Sequence, residues 1–385
     1  MRLILCLFAL LVLIQGCASS TSQTRIDNVE QYFWDEYFSP AQDLIQPQEL
    51  FSLSNQITQT LRQDFQKSRM SRDYIMANRW LANYINASNG GFEYQDNVTR
   101  IAQKTFDDRA GNCLSLVLLT ASLAEVLDVN VEFQEIEVPP VWDKQGDFYL
   151  VNGHINLRLL PKETNNTYLV SKDAIQIDFL PERTMRGYAK KHIDKTTVMA
   201  MFFNNIAAES LVDGKYDLAY AYIKQSLLLK PEFVPALNTL AILYRYKGLD
   251  NQAETVYKLA LSQEGEDLNA LYNYAVLLSS QQRLDEWAEV HKTLELARIR
   301  NPYYYYDMAQ QAYFDHEYQT ALTWYKRAVE KANYRHEFYF GLSRAYWATG
   351  DERKAQLNLE RALALTGDDM NKRRYQSKLH AMKTH

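Results

Sequence analysis

Three residues of this sequence have the types and spacing for nucleophilic chemistry: Cys113, His154 and Asp178. Cys113 stands directly before Leu114 to Leu127, an apolar run that lacks glycine and proline and predicts a helix buried on most sides. A sulfur there faces unsatisfied first-turn amides and the positive end of the helix dipole, which stabilise negative charge. A second group must take or hold the thiol proton. His154 opens the alternating stretch His154 to Leu159, a predicted strand whose first side chain projects from the sheet edge. Five of the seven histidines lie beyond residue 290, so His192 is the alternative base. Asp178 sits between Ile177 and Phe179 on a further predicted strand, Ala174 to Phe179. An ionised acid in so apolar a strand is normally paired, which makes it the expected orienter of the imidazole. The order thiol, base, orienter suits covalent attack on a carbonyl.

Several elements must position these groups. Val98 to Phe106 predicts a short helix leading to Cys113, and Val129 to Val138 alternates as a half-buried strand. With the two strands above, residues 89 to 182 read as helices followed by a small, antiparallel sheet. Pro139 to Val151, with Pro140, Trp142 and Gly146, reads as an irregular loop, and Asn89-Gly90-Gly91 as a turn. Upstream, residues 29 to 88 carry helix-like spacing at Leu50, Leu53, Ile57 and Leu61, then at Tyr74, Trp80, Leu81 and Tyr84.

The stretch Arg109 to Val129 resembles the core of the transglutaminase-like superfamily, with arginine and glycine before the nucleophile, a buried helix, then a strand. Asn152 to Leu157 resembles that family's histidine strand, and Ile175 to Asp178 its aspartate strand; the gaps of 41 and 24 residues suit the family order. The likeness covers roughly residues 95 to 182 and implies a papain-like α+β domain. It implies Cys113 as nucleophile, His154 as base and Asp178 as orienter. The Cys113 backbone amide is the expected oxyanion donor, with Asn112 a weaker candidate. Asn112 departs from the family, where many members carry Trp, Val or Asp. Each residue also has a plainer reading: a small buried hydrophobe for Cys113, a turn residue for His154 and a structural pair for Asp178.

The amino terminus tells what surrounds this chemistry. Arg2 precedes an apolar run from Leu3 to Ile14, too short for a bilayer span of about twenty residues but suited to a signal peptide. It ends in Ile14-Gln15-Gly16-Cys17, which resembles the bacterial lipobox. That resemblance implies cleavage of residues 1–16, lipid (palmitate among its acyl chains) on Cys17, and outer-membrane sorting, since Ala18 is not Asp. Residues 17–28 then form a polar tether. Of three cysteines, Cys6 leaves with the signal and Cys17 carries lipid, so Cys113 is the only free thiol expected. An exposed thiol in an oxidising envelope is a hazard unless buried or used. A formal charge of −5 with no concentrated basic stretch argues against nucleic acid. A structural zinc site wants four ligands in close pairs, so no metal is expected, and no cofactor.

From Met199 to the end the sequence repeats every 34 residues. Small residues recur at Ala207, Ala241, Ala275, Ala309 and Ser343. A second column holds Ala219, Ala253, Trp287, Ala321 and Ala355, and a third Ser226, Ala260, Leu294, Ala328 and Ala362. Gly214, Gly248 and Gly350 share one further phase, where Gln282 and His316 replace glycine. The pattern resembles the tetratricopeptide repeat and implies five helix pairs, residues 199–385, stacked on a continuous core as an all-α solenoid whose concave face binds a protein or peptide. Trp287 suggests local distortion of the third unit. The aromatic run Tyr303 to Tyr306 reads as packing rather than as a ligand platform.

The expected architecture is therefore an α+β transglutaminase-like (papain-like) domain, residues 29–195, followed by an all-α TPR solenoid. The expected function is a lipid-anchored enzyme of the bacterial cell envelope that hydrolyses or transfers an amide of a peptide or protein presented by the repeats. The alternative is a non-catalytic TPR scaffold lipoprotein with an inactive transglutaminase-like fold.

Overall fold

The computed structural model describes residues 26–70, 75–86, 91–95, 98–136, 143–145, 148–150, 154–161, 174–179, 190–265, 267–300, 302–366 and 369–383. Cys17, the leader, the tether up to residue 25, Tyr74, the turn at Asn89 and Gly90, and the loop residues Pro140, Trp142 and Gly146 lie outside these residues.

Most of the chain is helical. Helices α1 (Asn55–Met70), α2 (Ala77–Ile85), α3 (Ala102–Asp108) and α4 (Cys113–Val126) come first. Every residue of α4 from Leu114 to Ala124 is buried, the apolar ones together with Ser115, Thr120 and Ser122. Asn112 caps its start, and Asp128, at φ 56°, closes its end by letting the Val129 amide donate to the Ala124 carbonyl at 2.9 Å.

The strands are β1 (Glu93–Tyr94), β2 (Ala110–Gly111), β3 (Val131–Ile136), β4 (Asp143–Gln145), β5 (Phe148–Leu150), β6 (His154–Leu159), β7 (Ile175–Ile177) and β8 (Lys190–Ile193). β1 and β2 pair in parallel, and β4 and β5 pair antiparallel. The main sheet runs β7-β6-β3-β8, antiparallel throughout, with α4 packed against β6. Phe133, Leu157 and Ile177 lie side by side across it, which fixes the register and sets His154, Asn156 and Arg158 on the opposite face of β6.

Several elements differ from the sequence expectation. The stretch expected as an irregular loop contains the β4–β5 pair. The helix expected from Val98 begins only at Ala102, and the Thr99 and Arg100 amides before it donate to the side chains of Glu209 and Ser115. Lys190–Ile193 forms an edge strand although three of its four residues are charged or polar. Helix-like spacing from Leu50 becomes helix only at Asn55. The preceding segment forms three short 3-10 turns, Glu30–Tyr32, Asp35–Tyr37 and Pro47–Glu49.

That segment packs on the helices that follow. Phe38 stacks on Tyr220 with centroids 3.8 Å apart, and Trp34 meets Tyr244 edge-on at 5.3 Å. The Tyr244 hydroxyl donates to the Tyr32 carbonyl (2.9 Å), and the Ile45 amide donates to the Tyr222 hydroxyl (3.3 Å). Burial holds the Tyr220 and Tyr244 phenols well above their usual range.

Helices α5 (Lys195–Val212), α6 (Tyr216–Leu229), α7 (Val234–Tyr246), α8 (Asp250–Gln263), α9 (Leu268–Ser280), α10 (Leu284–Arg300), α11 (Pro302–Phe314), α12 (Tyr318–Lys331), α13 (His336–Ala348) and α14 (Glu352–Leu365) form five successive pairs, followed by α15 (Asp369–Lys383). Gly214, Gly248, Gln282, His316 and Gly350 all adopt positive φ, between 57° and 80°. The residue after each one donates its amide back into the preceding helix, from Lys215 to Ser210 at the first turn (2.8 Å) and from Asp351 to Tyr346 at the last (2.9 Å). One helix-closing turn therefore recurs every 34 residues, twice without glycine.

Among the described residues the buried core is not continuous along this series. One cluster runs from Val29 through the sheet and α4 to Leu278, while Tyr303 to Leu379 form three separate clusters. The break falls at α10, where Leu294 is buried but Leu284, Leu296 and Ile299 are exposed. Ala219, Ala253, Ala321 and Ala355 are fully buried where helices touch, whereas Trp287, in the same column, lies half-exposed and stacks on His291 of its own helix at 4.7 Å. An indole does not fit the space of a methyl group. The tyrosine run packs as expected: Tyr303 and Tyr306 both contact Phe338 at 5.1 Å.

Candidate active site

The polypeptide before Cys113 is tightly constrained. Arg109 adopts left-handed backbone (φ 55°), and its guanidinium lies 4.3 Å over the Phe92 ring. A Cβ on Gly111 would come within 2.8 Å of Ser115 Cβ, so the chain passes too close for any side chain. Asn112 Oδ1 then accepts from the Ser115 amide (2.9 Å) and the Ser115 hydroxyl (2.7 Å), and Asn112 Nδ2 donates to Thr99 Oγ1 (2.9 Å). The side chain expected as a weaker oxyanion donor thus serves as the cap of α4. The amides of Cys113 and Leu114 stay outside the helix ladder. Cys113 is half-buried.

His154 begins β6 and is buried. Its Nε2 lies 2.9 Å from Asp178 Oδ1, and Asn156 Nδ2 donates to Asp178 Oδ2 at 3.0 Å. Extending the β6–β7 register by one residue sets Asp178 opposite Asn156, so one carboxylate meets both side chains. Nδ1, on the other side of the ring, completes no hydrogen bond among the described residues, yet the Cys113 thiol is near enough to raise the imidazole's affinity for a proton. Burial of the ring opposes its charge; the bonds and charges of Asp178 and Cys113 outweigh it and push the pKa up to about 9. The structure therefore brings Cys113, His154 and Asp178 into one constellation. The alternative base, His192, is exposed on β8, 3.8 Å from Glu132.

A tetratricopeptide repeat model matches residues 336–369. The chain carries a tetratricopeptide repeat there. No curated protein sequence matches it. Among solved structures it is similar to PilF of Pseudomonas aeruginosa, 12% identical over 46% of this chain and 80% of that one, with a TM-score of 0.27. It is also similar to MamA of Desulfovibrio magneticus RS-1, 17% identical over 43% and 94%, TM-score 0.25. YrrB, described as a TPR protein with an unusual peptide-binding site, is 17% identical over 48% and 92%, TM-score 0.24.

The tetratricopeptide repeats and the constellation touch through residues that the sequence did not single out. The Thr99 amide donates to Glu209 Oε1 (2.9 Å) on α5, the first repeat helix, and burial raises the Glu209 pKa. Asn156 was likewise missed, although its position two residues after His154 on a strand places both on one face.

Proposed function

We propose that this protein is a lipid-anchored envelope enzyme that acts on an amide of a peptide or protein through Cys113, His154 and Asp178. The observation that carries the reading is a half-buried thiol at a capped helix start, beside an imidazole whose far nitrogen is held by a carboxylate. In this scheme Cys113 Sγ attacks the carbonyl carbon, and the Cys113 amide stabilises the developing oxyanion. The protonated His154 then delivers its proton to the departing amine nitrogen, and the C–N bond breaks to leave a thioester. Water or a second amine, deprotonated by His154, releases the acyl group. Asp178, fixed by Asn156, holds the ring throughout. The arrangement supports a transglutaminase-like assignment for the region before the repeats. The repeats support protein binding, and in this reading they present the substrate.

The test is selective alkylation. With limiting iodoacetamide at pH 6, Cys113 is expected to react at least tenfold faster than free cysteine, read by peptide mass spectrometry. A rate at or below that of free cysteine defeats the enzyme reading and leaves the protein-binding one. The anchor is tested separately: Cys17→Ser is expected to abolish palmitate labelling and release the protein from membranes, and label retained on that variant rules out Cys17 as the lipid site.

A further inference from the structure

We infer that Glu209, on the first helix of the tetratricopeptide repeats, is a positioning residue for the nucleophile, holding the start of the Cys113 helix through Thr99 and Asn112. The inference rests on the proposed role of Cys113. The connection is continuous: Glu209 Oε1 accepts from the Thr99 amide (2.9 Å), Thr99 Oγ1 accepts from Asn112 Nδ2 (2.9 Å), and Asn112 Oδ1 accepts from Ser115 N and Oγ (2.9 and 2.7 Å). Ser115 Oγ in turn accepts from the Arg100 amide at 2.8 Å, closing the loop onto the residue beside Thr99.

Thr99, Asn112 and Ser115 are all buried, so each of these bonds is difficult to replace with water. Asn112 is the residue whose conformation aims Cys113, and its two amide ends are held from opposite sides. One end grips the helix that Cys113 begins. The other is held by Thr99, a residue in no helix or strand, whose own amide depends on the repeats. Without Glu209 the Thr99 amide lacks its acceptor, and the Thr99 segment loses its side-chain tie to α5. The charged surroundings are compatible: Arg100 lies near enough to favour the Glu209 carboxylate, and Asp213 opposes it. The two parts of the protein are thereby joined at the candidate site by a side chain, not only by a shared apolar core.

The experiment compares Cys113 alkylation and amide exchange of residues 111–118 in wild type, Glu209→Ala, Glu209→Gln and Thr99→Val. Glu209→Gln keeps an acceptor oxygen and is expected to react within twofold of wild type. Glu209→Ala and Thr99→Val are expected to lower alkylation about tenfold and to speed exchange of the Ser115 amide; Thr99→Val serves should Glu209→Ala fail to fold. Wild-type alkylation in Glu209→Ala, whatever its melting temperature, overturns the inference and leaves Glu209 a structural contact. Equal losses in Glu209→Ala and Glu209→Gln also overturn it, because the acceptor would not be what matters. If wild-type Cys113 is itself unreactive, the enzyme reading fails, and exchange alone decides the clamp: faster Ser115 exchange in Glu209→Ala upholds it and unchanged exchange rejects it.

Discussion

Replacing His154 by alanine is expected to slow alkylation of Cys113 about a hundredfold at pH 6, an effect of the size general acid–base partners contribute. The wild-type imidazole holds its proton up to about pH 9 because Asp178 and Cys113 together outweigh the burial that opposes its charge. Across pH 6 to 8 the sulfur therefore faces a cation. In His154→Ala that cation is absent. Asp178→Asn removes the carboxylate that sustains the charge, so burial prevails and the His154 midpoint, followed by NMR, should fall by about two units or more. The same shift has a consequence for stability. A histidine whose pKa is raised on folding stabilises the native state fully below its unfolded value of 6.5, and that contribution is lost as pH rises through about 9. The loss is on the order of 3 kcal/mol, so the melting temperature should drop between pH 6.5 and 9 in wild type and less in His154→Ala. Equal alkylation of the two proteins at pH 6 would remove His154 from the scheme.

The sequence carried these features to different depths, for physical reasons. The Cys113 helix and the β6 strand were legible because burial on every side of a helix and alternation along a strand leave direct marks in residue type. His154 and Asp178 were legible because a histidine at a strand start and an acid between apolar neighbours are both costly unless partnered. Asn156 stood in the same strand, but asparagine has no charge to make its burial conspicuous. Glu209 is 110 residues from Thr99, and one side-chain-to-backbone bond leaves no periodic signal. Trp34 and Phe38 of the amino-terminal segment carried no signal of their own because their partners, Tyr244 and Tyr220, lie in the repeats. The 34-residue period located all five pairs, and the two positions that lacked glycine still adopt its backbone conformation. The period did not reveal how far the core extends. A single bulky residue, Trp287, conserves the phase while changing the packing, and only packing decides whether neighbouring repeats share one core.

The largest effect on folding is expected from Gly341→Ala. A Cβ at this position of α13 would stand 2.3 Å from Cε1 and 2.6 Å from Cζ of Tyr325, whose ring is fully buried against Ala309, Ala321 and Ala345. The ring cannot swing into solvent, and α13 is held by its own pairing with α14, so the strain must be absorbed by separating α12 from α13. Overpacking of this kind costs about 3 kcal/mol, and for a unit the size of residues 302–383 it lowers the melting temperature by on the order of 10 °C. The break in the core at α10 predicts where that loss is felt. Amide exchange in α11 to α14 should quicken, while exchange in α4 and alkylation of Cys113 should match wild type, because the cluster from Val29 to Leu278 shares no buried residue with the clusters beyond it. Calorimetry should then resolve two transitions, of which only the lower moves. A single transition that shifts as a whole would show that α10 transmits cooperativity across the break. In that event the exposed Leu284, Leu296 and Ile299 would not mark a boundary between folding units, and the repeats would unfold together with the candidate site.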